Sequence, residues 1–274
     1  MADTHKRKAN DWYFKLEAHP LVKRVMADLK PLLLVWGAQL MQQAKEGRLL
    51  AGAEKYANPL LIRQHRKQEE AYSDRLNYAL DVFSYVSNLL TAVERFGGIR
   101  VYLARLPQPR RYEAVGVTED QWITYHYSNY LMAVVSIYDT CLLLTNAVFA
   151  LGLDPKECKK ATVADNRKVR KSRVTEPLAK LNKTADKYRF PRNLLVHRSE
   201  LPKLEILDLL EMISSLHRAG KPMMDNRTLD KLYSLARREI TDALDGEISL
   251  ITSTLSEFFD SLQPVYEETT AKLK

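Results

Sequence analysis

The sequence predicts an all-α fold, an elongated helical bundle, on three observations. Apolar residues from Tyr72 to Val93 recur at alternating steps of four and three, the spacing of one helix face. Thr118-Glu119-Asp120-Gln121 has the spacing of a capping box and opens an apolar run that reaches Leu151. Glycine contributes only 9 of 274 residues, while Leu, Ala, Lys, Glu and Arg dominate. The 46% hydrophobic content is that of a globular chain able to bury a sizeable core, which excludes a disordered one.

Residues 1–62 should form shorter helices broken at Pro20, Pro31 and Pro59. The first long helix is expected over about 66–96, where Leu76, Ala79, Phe83, Val86, Leu90 and Val93 share a face that Asp74, Asn77, Asp81, Asn88 and Glu94 avoid. Gly97-Gly98 should end it. Over 99–117, Ile99, Val101 and Leu103 alternate with Arg100, Tyr102 and Ala104 before Pro107 and Pro109, which suggests a small hairpin insertion or an irregular arm.

A second long helix is expected over 118–151, closed by Gly152 and Pro155. Further helices should cover 174–188, 191–198, 202–218, 228–244 and 246–271, and in the last of them Ile248, Ile251, Leu255, Phe258, Leu262 and Val265 repeat the four-three seam. Neither an internal repeat nor a low-complexity linker interrupts the chain. A single α-helical domain over 1–274 follows, with 1–62 as an N-terminal elaboration, 63–219 as the core and 220–274 as C-terminal helices packing on it.

The net charge of +8 favours an anionic partner such as RNA, DNA or a lipid surface. Between Lys156 and Arg173, eight basic residues stand against Glu157 and Asp165, so this run carries six of those eight charges. Cys141 and Cys158 have no paired spacing, which supports neither a disulfide scaffold nor a zinc site and points to the reducing cytoplasm. Met1 to Asn10 is basic but leads into Asp11, Lys15 and Glu17 rather than an apolar run, so no secretory signal is read there. Tyr130 to Leu153 is apolar enough to suggest a membrane span, yet Asp139 at its middle is costly in lipid. It reads as a helix buried in a bundle, with no membrane partner.

Chemistry concentrates in Phe190-Pro191-Arg192-Asn193-Leu194-Leu195-Val196-His197. Proline favours the first helical turn, so Pro191 should start a helix and set Arg192 and Asn193 at its anion-welcoming end. Asn193 and His197, four apart, share a face, and Arg192 flanks it within reach of the same point. A guanidinium, an amide and an imidazole would converge on one phosphate. RNA cleavage needs a group titrating near neutrality to move a proton, which suits His, and a forked cation for the phosphoryl oxygens, which suits Arg. Against this stands the plainer reading, in which His197 caps or packs on a helix and Arg192 is a solvated surface residue.

Arg-Asn-x-x-x-His resembles the Arg-polar-x3–5-His signature of the HEPN (higher eukaryotes and prokaryotes nucleotide-binding) superfamily of four- and five-helix bundles. The resemblance covers the motif and, loosely, the helical order over 66–218. It implies a metal-independent RNA endonuclease, without cofactor, acting as a homodimer whose two motifs form a composite cleft. Toxin–antitoxin or anti-phage defence is the implied setting, with an antitoxin or defence partner protein. On this resemblance Arg192 would hold the scissile phosphate, Asn193 would orient it and His197 would be the acid/base. A tyrosine shortly after the histidine, frequent in one branch, is replaced here by Arg198-Ser199-Glu200. The alternative is a HEPN-like module that binds RNA or protein and cuts nothing.

Asp139 either orients His197 or Arg192 from a neighbouring helix or is an ordinary buried ion-pair partner. His126, within Tyr125-His126-Tyr127-Ser128-Asn129-Tyr130, belongs to a run whose rings either stack on bases or fill core and rim. Lys168, Arg170, Lys171 and Arg173 either flank the cleft and track an RNA backbone or form an exposed loop without ligand.

Overall fold

Burial of apolar side chains carries the helices past most of the local stop signals. The structure, a computed structural model, describes residues 11–45, 73–104, 115–198, 205–221 and 223–273. After a helical stretch over 11–17 come α1 (Pro20–Lys45), α2 (Asp74–Ala104), α3 (Glu119–Val148), α4 (Lys160–Val163), α5 (Arg167–Arg170), α6 (Thr175–Arg198), α7 (Glu205–Arg218) and α8 (Asn226–Lys272). The all-α class holds, and among the described residues there is no strand.

Four expected boundaries move, each for a physical reason. α2 runs through Gly97-Gly98 to Ala104, so residues 99–104 are helical rather than one arm of a hairpin; 105–114 lie outside the described residues. Phe96, Ile99 and Leu103 are all buried, and that burial outweighs the cost of about 1 kcal/mol per helical glycine. α8 likewise passes Gly246 between buried Leu244 and Ile248, merging two expected helices into one of 47 residues. Pro31 lies inside α1 without breaking it, while Pro20 opens that helix as its first residue; Pro59 is outside the described residues. Pro191 lies inside α6 and starts no helix.

α3 closes closer to expectation. The Thr118 N–H donates to Gln121 Oε1 at 3.1 Å at its start. At its end Leu151 N–H donates to Asn146 O at 3.1 Å, Gly152 takes φ +73°, and the Asn146 amide bonds both the N–H and the carbonyl of Leu153. α3 is also the helix that length and apolarity would allow to cross a membrane, but most of that window is buried inside the fold, as a core helix requires.

The chain divides into two compact units. The first holds the described residues of 1–15 with 91–139 and 177–255. Its helices are tied by polar contacts around an apolar interior: Arg100, 2% exposed, pairs with Asp245, and Tyr233 Oη contacts Ser214 and donates to Asp120 at 3.3 Å. The second holds 16–90, 140–176 and 256–274. There Asp28 receives Arg75 at 2.7 Å and the Tyr266 hydroxyl at 2.9 Å, while His19 accepts from Leu21 N–H at 3.1 Å and its other ring nitrogen meets Asp260 at 3.1 Å. The described part of the N-terminal region, from residue 16 to 45, belongs to this unit.

Candidate active site at the end of α6

Within the first unit, α6 is buried through Pro177, Leu178, Leu181, Thr184 and Ala185 and then turns outward. Its fixed part is held by Glu247 of α8, whose carboxylate accepts from the hydroxyls of Tyr130 (2.9 Å) and Tyr188 and from Lys187 Nζ (3.3 Å). Burial pushes both tyrosine hydroxyls well above their ordinary range, and the Glu247 carboxylate adds to it, so they stay neutral donors. Tyr188 stands one turn before Arg192 on the same face.

Arg189, on the next position, is held from several sides. Its Nε lies 2.9 Å from Asp186 in an ion pair without hydrogen-bond geometry, its Nη2 donates to Asn182 Oδ1 at 3.1 Å, and its guanidinium lies 5.3 Å from the Tyr138 ring centroid. Arg192 is not. Its Nη1 donates to Asn193 Oδ1 at 3.1 Å, but its Nε is buried with no hydrogen-bond partner among the described residues. A buried N–H of a charged group without an acceptor is costly, and an incoming anion would relieve it.

Asn193 and His197 are exposed, one turn apart, and Arg192 is half-buried beside them. Among the described residues His197 makes no hydrogen bond, ion pair or ring contact, so both ring nitrogens are open to a substrate. The three residues therefore share the outer surface of the last two turns of α6. One expectation is corrected: because Pro191 is internal, Arg192 and Asn193 do not sit at a helix N-terminus, and His197 and Arg198 occupy the last turn. The backbone dipole there favours cations, so any phosphate must be held by side chains rather than by free N–H groups.

Asp139 on α3 faces this region. Packing on its inner side pushes the carboxyl up, while Arg189 and Arg192 pull it down. Burial is the larger effect, so the carboxyl stands above its ordinary value although the residue is exposed. It bears on the arginines rather than on His197. Arg189, Tyr188 and Glu247 went unread in the sequence; treating 175–198 as one helix would have flagged the first two, since they stand four residues before Asn193 and Arg192.

His126 is elsewhere in the same unit, buried in an aromatic box. It stacks on Tyr102 at 4.8 Å and meets Trp122 and Tyr125 edge-on at 4.5 and 5.1 Å. No contact joins it to Arg192, Asn193 or His197 among the described residues. Lys168, Arg170, Lys171 and Arg173 are all exposed and belong to the second unit. Among the described residues no group of three or more His, Cys, Asp or Glu side chains is placed to hold a metal ion.

Neither a curated protein nor a solved structure matches the chain. A family model, described as Cthe2314-like HEPN, matches residues 106–269, a span of more than half the chain that contains Arg192 to His197. The chain belongs to the HEPN superfamily.

Proposed function

We propose that this protein is an endoribonuclease that cuts RNA through Arg192, Asn193 and His197 at a cleft completed by a second copy of the chain. The observation that carries the reading is the pairing, on one helix end of a HEPN chain, of an exposed imidazole with a guanidinium whose buried Nε has no hydrogen-bond partner among the described residues. In this reaction the 2′-oxygen of a ribose attacks the adjacent phosphorus as its proton is taken up, and the bond to the 5′-oxygen of the next nucleotide breaks. A 2′,3′-cyclic phosphate and a 5′-hydroxyl result. Arg192, held on one side by Asn193, neutralises charge on the non-bridging oxygens; His197 moves protons, and with two copies one imidazole serves as base and the other as acid. Such an enzyme acts in the cytoplasm as a homodimer and fits a toxin or defence effector restrained by a partner protein.

The test is cleavage of end-labelled RNA in EDTA, with the products analysed for cyclic phosphate ends. Cleavage lost in both His197→Ala and Arg192→Ala supports the reading; activity retained in both rejects it. A salt-dependent shift of RNA without cleavage by the unaltered protein assigns a binding module instead.

A further inference from the structure

We propose that the cationic face of residues 156–173 is a preformed docking surface for the phosphodiester backbone of nucleic acid. It does not rest on cleavage at α6, since a protein that cuts nothing would still bind there.

The sequence leaves this run either as a track for an RNA backbone or as an exposed charged loop, and in the structure it is a frame of short helical turns. Two successive turns, α4 and α5, and the bend after them are nailed down by Val163, Val169 and Val174, each fully buried. Asp154 Oδ1 accepts from Lys156 N–H and Asn166 Oδ1 from Lys168 N–H, both at 2.9 Å, and Ser172 Oγ donates to Val169 O at 2.6 Å. On that frame Lys156, Lys159, Lys160, Arg167, Lys168, Arg170, Lys171 and Arg173 are all exposed, and among the described residues none makes an ion pair. Of the nearby acids, Asp154 caps the turn and Glu157 Oε2 accepts from Asp154 N–H at 3.4 Å, which leaves Asp165 as the one remaining exposed acid set among the eight cations.

Eight like charges held on a fixed surface repel one another and gather counter-ions, which a polyanion displaces with a gain in entropy. The neighbourhood decides which polyanion. Between residues 133 and 189 no large apolar side chain is exposed among the described residues, so the face lacks the apolar wedge that inserts into a lipid surface and the aromatic anchors of a protein interface. Basic groups alone read phosphates and not bases, so binding will be insensitive to sequence.

The experiment measures anisotropy of a fluorescent single-stranded RNA of about 20 nucleotides across about 50 to 200 mM salt, in a His197→Ala background that keeps the probe intact. Lys168→Glu, Arg170→Glu, Lys171→Glu and Arg173→Glu are combined, and the control carries Lys23→Glu, Lys30→Glu, Lys221→Glu and Lys231→Glu, all exposed and equal in charge change. The surface variant should lose about 100-fold or more in affinity at low salt and about 2 to 3 from the log–log salt slope, at about 0.7 per lost phosphate contact. The control should lose much less. Four glutamine replacements at the same positions repeat the test should the charge reversal unfold the protein. Equal loss in both proteins, or an unchanged slope in the surface variant, overturns the proposal. So does RNA binding untouched by the surface variant alongside lost binding to phosphatidylserine vesicles, which would assign the face to lipid.

Discussion

The two halves of α6 do different work: its buried residues all lie before Pro191. Before Pro191 the helix is scaffold: Leu178, Leu181 and Ala185 are buried, and Glu247 clasps Tyr188 and Lys187. After it the helix faces outward, with Val196 44% exposed among Arg192, Asn193 and His197. The contrast shows how one continuous helix can fix its chemistry in place. The inner half sets the axis, and the outer half is freed of packing duties so that its polar groups can meet a ligand.

The largest effect should come from the outer half. His197→Ala and Arg192→Ala are each expected to lower RNA cleavage by about 100- to 10,000-fold, the range for a lost acid/base or charge-stabilising group. Because His197 is exposed and makes no hydrogen bond, ion pair or ring contact among the described residues, its variant should melt within about 0.5 kcal/mol of the parent. A circular-dichroism melt beside the cleavage assay checks both; a His197→Ala protein that unfolds early would show that the outer half is scaffold after all.

Leu181→Ala should give the reverse pattern. At 3% exposure its loss should cost about 2–5 kcal/mol of stability by urea titration, while Val196→Ala should cost under about 1 kcal/mol. Similar costs at the two positions would erase the distinction between the halves. Pro191→Ala comes next in size. An internal proline leaves the carbonyl one turn back without its donor, so alanine should stabilise the protein by about 1–3 kcal/mol. Had Pro191 been the first residue of a separate helix, the same change would be neutral or harmful.

How much of this was legible depends on which force wins locally. The seam Ile248, Ile251, Leu255, Phe258, Leu262 is buried as spaced, but Tyr266 rather than Val265 continues it. A 3.6-residue turn drifts from a strict seven-residue repeat, and in this 47-residue helix the drift hands the seam to the next position. Gly97-Gly98 and Gly246 misled for a shared reason: a helical glycine costs about 1 kcal/mol, and the burial of Phe96, Ile99, Leu244 and Ile248 exceeds that. The motif was legible as residue types four and five apart. Its support was not, because Glu247 lies 50 residues from His197 and Asp139 lies 53 from Arg192, and only tertiary packing brings such groups to one helix.

The two histidines extend the contrast, His197 exposed and His126 buried, and the buried one gives the smallest, most discriminating effect. His126 is buried among Tyr102, Trp122 and Tyr125, its Nε2 has no hydrogen-bond partner among the described residues, and burial lowers its pKa below the ordinary value. In the unfolded chain it titrates near about 6.5, so below that pH the unfolded state binds a proton that the folded state refuses. The stability owed to neutral His126 is therefore complete above about pH 6.5 and is lost as pH falls from there toward the folded value. His126→Phe keeps an aromatic ring in the stack and removes the titration. Its Tm should fall less than that of the parent between about pH 7 and pH 5. Equal acid sensitivity in His126→Phe and the parent would mean that the imidazole finds a proton acceptor inside the fold.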